Sequence, residues 1–294
     1  MPQIKRKEDL ADIQQQHDGF PQMEIKKVGI HGVQVPLKVL RKDNTVNASS
    51  AEVSIYTNLN SKVKGANMSR YRIIVEEHLI GKDLNLREYL RTLLETTSKK
   101  LEATDSYVKI KFDYFLVRTA PASKLKSYLN YKCCVEGKHK TCDGDYIDDK
   151  GIHCSGIHDV NQFFLTVEVP YTSLCPCSKE ISDYGAHNQR SFAKVMVELI
   201  PEEMCWIEDL IEIVESTASA PIVNGLKRVD EAYQTEKMYE NPMFVEDMAR
   251  GISERLNHKL LDKTISDYSI VITHCESIHV HDAIAVMTAG RKLQ

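Results

Sequence analysis

The sequence predicts an α+β fold, with antiparallel sheet and helices packed on one face. Three observations lead there. Stretches with period-two alternation open and close the chain. Stretches with helical spacing fall between them in groups. The order is strands, helix, strand, then strand, helices, strands, which is not the regular strand–helix alternation of a parallel sheet. This broad order runs twice, so residues 23–294 read as one domain of two similar halves, after a polar, loosely ordered segment at 1–22.

The elements follow in sequence. From Met23, MEIKKVGIHGVQVPLKVL mixes β-branched residues with Gly and Pro breaks and reads as a strand. Ala51–Asn58 is a second strand, with Val53 and Ile55 alternating with polar residues, and Asn58–Gly65 is a loop. Ser69–His78 reads as the next strand. Asp83–Thr97 is helical by the spacing of Leu84, Leu86, Leu90, Leu93 and Leu94. Tyr107–Arg118, Gln162–Pro170 and Phe192–Leu199 are strands. Trp206–Ser216 and Phe244–Leu261 are helices, the second with Asn241 as N-cap and Pro242 in its first turn. Tyr268–Thr273 and Ile284–Thr288 close the fold as strands. Near 132–158 the text is rich in Cys, His, Gly and Asp and reads as an irregular insertion.

Composition narrows the function. With 294 residues, 42% of them hydrophobic, the chain can bury a real core. A net charge of −4 gives no general basic footprint, which argues against nucleic acid but not against a nucleotide. No apolar run approaches the roughly 18 residues of a membrane span, and no signal-peptide pattern opens the chain, so no membrane partner and a cytoplasmic location are expected. In that compartment the eight cysteines stay reduced, and clustered ones suit metal binding or catalysis better than disulfides.

Two clusters carry most of the chemical signal. In SLCPCSKEISDYGAHNQRS, Cys175 and Cys177 flank Pro176, with His187 following. A Cys-x-Cys is too tight for an ordinary two-thiolate zinc knuckle, so it suits one metal-bound thiolate and one free thiol. In HCESIHVHDA, His274, Glu276, His279 and His281 form a run of imidazole and carboxylate that is costly to bury unpaired. The bland alternatives are buried small hydrophobes for the first and a solvated strand end for the second. Two further segments, LKRVDEAYQTEKMYENPMFVED and VKGANMSRY, are weaker, since charge runs are usually solvated faces.

Together these segments resemble the type IB GTP cyclohydrolase family, which has the tunnelling fold (T-fold). The resemblance runs from VGI-x-GVQVP at Val28–Pro36 to ESIHVHDAIA at Glu276–Ala285, and LCPCSKEIS with GAHNQRS is highly specific to it. It implies conversion of GTP and water to 7,8-dihydroneopterin triphosphate and formate, in a homotetramer. It implies one divalent metal per active site, zinc or manganese with iron a further option, bound by Cys175, His187, Glu231 and His279. Cys177 is implied as a catalytic thiol outside the metal shell, Glu276 as a further active-site acid, and Glu246 as the anchor of the guanine edge. A carboxylate suits that last role because it accepts from both N1–H and the 2-amino group. A bound divalent ion lowers the pKa of water from about 16 toward 7, which is what attack at C8 requires. Arg70, Lys179, Arg190, Lys227 and Arg228 are candidates for the triphosphate.

The chain departs from the family pattern at Asn67, where a His is usual, and at APASK in 120–124. Cys133, Cys134, His139, Cys142, His153 and Cys154 are also extra, and read either as a second zinc site or as reduced surface thiols. Two rival functions share the fold: a related cyclohydrolase giving a 2′,3′-cyclic phosphate, and a non-catalytic purine- or pterin-binding protein.

Overall fold

Strand patterning dominates this chain, and one large antiparallel sheet results. The computed structural model describes residues 13–15, 19–79, 86–147, 153–200 and 203–290. Its strands are β1 (Ile25–Leu40), β2 (Val46–Leu59), β3 (Asp105–Thr119), β4 (Lys126–Ile147), β5 (His153–Leu174), β6 (Asn188–Leu199), β7 (Ala220–Pro221), β8 (Ile265–His274) and β9 (Ala283–Thr288). They lie in the order β1-β2-β3-β4-β5-β6-β8-β9, with the short β7 beside β5. The helices are α1 (Met68–Leu79), α2 (Leu86–Leu101), α3 (Pro176–Ile181), α4 (Ile207–Thr217), α5 (Arg228–Glu240) and α6 (Val245–Leu261).

Period two puts every second strand residue on one face. Register then aligns Val53, Ile110, Val135, Leu165, Val197 and Tyr268 in a single row across six strands. Each is 3% exposed or less. Tyr71 and Ile74 of α1, Leu90 and Leu93 of α2, Val214 of α4 and Ile252 of α6 join the same core, which places those helices on that face. Burying each such side chain is worth about 1.5–3 kcal/mol. The opposite face is polar, with cross-strand pairs Lys111–Glu52 at 2.9 Å, Lys109–Glu136 at 3.0 Å and Lys132–Asp113 at 2.6 Å around an open groove of about 680 Å³.

The structure corrects three expectations. Ser69–His78 is not a strand but most of α1. Tyr71, Ile74 and Val75 are fully buried at helical spacing while Ile73 faces solvent. Asn241 is not the N-cap of α6 but the C-cap of α5, where its Nδ2 donates to Lys237 O at 2.9 Å. Phe244 caps α6, and its N–H donates to Asp247 at 3.1 Å. Residues 132–147 and 153–158 are not irregular: they are paired β4 and β5, with Cys142 opposite His158 and Tyr146 opposite Cys154. β8 ends at His274, and Cys275–Asp282, which carries ESIH, is a loop. Of the sequence-read helix at Asp83–Thr97, Asp83 and Leu84 fall outside the described residues.

At 120–124 the departing APASK segment forms a tight turn between β3 and β4. Ala120 N donates to Leu125 O at 2.8 Å, and Lys124 adopts φ 61°. Among the described residues no helix is long and apolar enough to cross a membrane.

Candidate active site

Strand ends build the site. Leu174 at the end of β5 pairs with Asn188 at the start of β6, and His274 at the end of β8 pairs with Ser191 and Ala283. Met243 N donates to Leu174 O at 3.1 Å, which brings the N-terminus of α6 to the same place. The result is a cavity of about 220 Å³ whose walls include Cys175, Gln189, Phe244, Glu246, His274 and Glu276.

The Cys-Pro-Cys turn fixes Cys175. Cys175 is the N-cap of α3 with Pro176 at the first helical position, where a missing N–H costs nothing. Its Sγ accepts from Ser178 N at 3.5 Å. Cys175 N donates to His187 O at 3.1 Å, and His187 N donates to Ser178 Oγ at 3.2 Å, so the loop that carries His187 folds back onto α3. His187 Nδ1 lies 3.0 Å from Gln189 Oε1 and 3.8 Å from Glu276 Oε2. Gln189 Nε2 in turn donates to Ser173 Oγ at 2.9 Å. With an amide oxygen facing Nδ1, that nitrogen carries the proton and Nε2 keeps a lone pair.

Cys175 and His187 therefore offer a thiolate and an imidazole from adjoining strand ends, a donor pair that suits zinc and other divalent ions. Glu231 and His279 do not join them in the single chain. Glu231 is exposed on α5, and His279 is exposed in the 275–282 loop, stacked on His281 at 5.1 Å. Among the described residues no three His, Cys, Asp or Glu side chains gather closely enough to hold an ion. This includes the cysteines and histidines of β4 and β5. Cys133 and Cys134 point to opposite faces, and burial pushes the Cys134 thiol up to about 11.

Cys177 is exposed in the first turn of α3 and is not part of the cavity wall. Glu246 stands in the first turn of α6, where unpaired backbone N–H groups favour a carboxylate. The basic candidates are scattered. Lys179 Nζ donates to Tyr239 O at 2.6 Å and sits over the Tyr239 ring, tying α3 to the end of α5. Lys227 caps α5, with Arg228 after it, both exposed. Arg190 is exposed beside the loop, and its carbonyl accepts from Cys275 N at 3.2 Å. Arg70 and Asn67 line a separate polar groove of about 320 Å³, where β2 ends and β3 begins. That is the far end of the sheet from Cys175, because antiparallel pairing from β3 to β5 puts the start of β3 with the start of β5.

Asp230 has a structural role next to Glu231. It is fully buried and accepts from Ala122 N at 2.9 Å, Ser123 N at 2.8 Å and Lys227 N at 2.9 Å. Burial works to raise its pKa, but these hydrogen bonds win and hold the carboxyl well below the usual range. The DE pair thus splits its work: Asp230 fastens α5 to the 120–124 turn, and Glu231 is left facing outward.

Sequence reasoning left His274 and Gln189 out of the site. His274 is 2% exposed, and its Nε2 lies 2.9 Å from the Tyr171 hydroxyl. Burial pushes it down to about 4, with the Glu246 charge opposing, so it is neutral near pH 7. The available signal was its place in the same imidazole run, one strand position from the loop.

Known proteins resemble this chain over most of its length. The family described as type I GTP cyclohydrolase folE2 matches residues 10–285. GTP cyclohydrolase FolE2 of Fervidobacterium nodosum is 40% identical over 281 residues, covering 95% of this chain and 97% of that protein. The protein of the same name from Magnetococcus marinus is 37% identical over 287 residues, covering 96% and 97%. Among solved structures, a uricase from Bacillus fastidious aligns with a TM-score of 0.53 at 10% identity, covering 90% of this chain and 93% of that one. A mutant urate oxidase from Bacillus sp. TB-90 aligns at 0.51 and 10% identity, covering 91% and 100%. These last two likenesses are of fold alone.

Proposed function

The chain belongs to the type I GTP cyclohydrolase FolE2 family, and from that premise we propose that it opens GTP at C8, releases formate and recloses the ring to 7,8-dihydroneopterin triphosphate. One observation carries the reading. Cys175, Glu246 and Glu276, from three distant segments, share one cavity with His187 hydrogen-bonded at its edge.

Each side chain has work that fits its place. Glu246 accepts from the guanine N1–H and 2-amino group and sets the base in the cavity. Cys175 and His187 would hold a divalent cation, zinc or manganese, with Glu231 and His279 completing the set in a homotetramer. Such a cation supplies Lewis acidity for the attacking water. Glu276 can take a proton from water and return it to a ring nitrogen as the C8–N bond opens, with the Nδ1–H side of His187 3.8 Å from its carboxylate. Cys177 is the second thiol, brought to the substrate on assembly. Arg190, Lys227, Arg228 and Lys179 lie on elements around the site and are the cations for the triphosphate, with Arg70 supplied from another subunit.

The two-halves tunnelling fold belongs to the same reading. It is supported by the element order, two strands, two helices and two strands over β1–β4, and the same order over β5–β9 with α3, β7 and α5 inserted.

The test is incubation of the full chain with GTP and zinc or manganese, followed by formate release, pterin fluorescence and phosphorus NMR. A fluorescent pterin that keeps three phosphates is expected. A cyclic phosphate product would move the chain to the related cyclohydrolase class, and no product with either metal would sink the reading.

A further inference from the structure

We propose that His274 reads the guanine O6, donating its Nδ1–H to that oxygen beside the carboxylate of Glu246. The proposal rests on the GTP reading above and deepens it by naming a second determinant of base specificity.

The number of protons on the ring decides which nitrogen faces the cavity as a donor. A neutral imidazole carries one N–H, on Nδ1 or Nε2. His274 Nε2 faces the Tyr171 hydroxyl at 2.9 Å, and Tyr171 is fully buried. If Nε2 held the proton it would donate to the phenolic oxygen. The phenolic hydrogen would then have no acceptor among the described residues, and a buried unmet donor is expensive. If Tyr171 donates to Nε2 instead, both groups are satisfied and the imidazole proton moves to Nδ1. Nδ1 has no protein partner among the described residues and is not one of the buried polar atoms that lack one, so it opens on the cavity that His274 lines. Burial keeps the ring neutral near pH 7, so the one-proton count holds there.

The cavity thus presents a fixed donor beside a two-oxygen acceptor. The guanine edge offers the complement, with O6 as acceptor and N1–H and the 2-amino group as donors. Adenine puts an amino group where O6 stands and would set donor against donor. Tyr171 sets which ring nitrogen donates, so it is a positioning residue and touches no substrate.

The test compares kcat/KM for GTP, 6-thio-GTP and ITP, read by formate release, in the metal-supplied enzyme. 6-thio-GTP keeps N1–H and the 2-amino group but replaces O6 with a poor acceptor. ITP keeps O6 and lacks the 2-amino group. The parent should prefer GTP over 6-thio-GTP by about tenfold, the cost of one poor hydrogen bond in a dry site. In His274→Leu that preference should vanish, while the preference for GTP over ITP, which reports Glu246, persists. His274→Asn, whose amide N–H₂ can reach the Nδ1 position, should restore most of it. Tyr171→Phe should lower it by removing the lock on the tautomer. An unchanged GTP to 6-thio-GTP ratio in His274→Leu overturns the proposal, as does joint loss of both preferences, which would mean packing only. If His274→Leu does not fold, an unchanged ratio in Tyr171→Phe overturns it. Failure of the parent to release formate from GTP strikes the GTP reading itself, whereas normal GTP turnover with an unmoved ratio strikes only His274.

Discussion

Two stretches of this chain are rich in cysteine and histidine, and the fold treats them in opposite ways. Around Cys175 and His187 the chain turns through α3 and returns, so two donors twelve residues apart are bridged by a backbone hydrogen bond of 3.1 Å. Along β4 and β5 the same residue types are spread down two long strands. Cys142 pairs with His158 and Tyr146 with Cys154, so the two thiols are four residues apart along the ladder. At about 3.3 Å per residue that is roughly 13 Å, far beyond what one ion spans. His158 is occupied as well, stacked on Tyr146 at 4.0 Å. The reversal through α3 brings the backbones of Cys175 and His187 together, whereas the β4–β5 ladder holds its thiols apart. A straight strand with the same letters only disperses them.

Substitution can break or sharpen this contrast. Cys175→Ala should have the largest effect, with bound metal lost and turnover down about 100-fold or more. Full metal content and activity in this variant would erase the contrast. Glu246→Gln should keep metal at the parent level and lose about 1–3 kcal/mol of transition-state stabilisation, read as kcat/KM for GTP. The parent should also prefer GTP over ITP; equal efficiency would remove Glu246 from the base-reading role. Cys177→Ala should keep its metal and fall to roughly a tenth of the parent rate or lower. If Cys177→Ser retains half the rate, that thiol merely packs. The smallest effect belongs to the double variant Cys142→Ser and Cys154→Ser, whose stability should stay within about 0.5 kcal/mol and whose metal content should not change. Loss of one metal equivalent there would mean the strand thiols do bind an ion in the assembled protein.

Much of this was legible beforehand because an element with one buried face shows its hydrophobic period in the sequence. Val53 and Ile55 announced β2, and the leucines at 90, 93 and 94 announced α2. The failures have specific causes. RYRIIVEEH, in α1, has β-branched residues that favour strands by local preference, and only packing of Tyr71, Ile74 and Val75 into the core decides for helix. Asn241 is a good cap residue for either helix end, and the one-sided bond to Lys237 O settles which. For the site, the sequence motifs named Cys175, His187, Glu246 and Glu276, which the fold brings to one corner. His274 was hidden because choosing among four neighbouring acidic and imidazole side chains requires knowing where β8 stops. Glu231 and His279 carry the right chemistry, but both are exposed and outside the cavity wall in the single chain.

The attachment of α5 has a consequence of its own. The helix buries only Asp230 and Gln234, and both are polar. Its anchors are hydrogen bonds: Asp230 to the 120–124 turn, Gln234 Nε2 to Pro221 O, and Lys179 to Tyr239 O. Lifting such a helix uncovers little apolar surface, and the urea dependence of an opening scales with the surface it uncovers. Amide protons of α5 should therefore exchange through a local opening whose free energy barely changes across a urea series, while those of β5 and β6 follow the full slope of global unfolding. The carboxylate of Glu231 would then ride on a segment able to detach and reseat while the sheet stays folded.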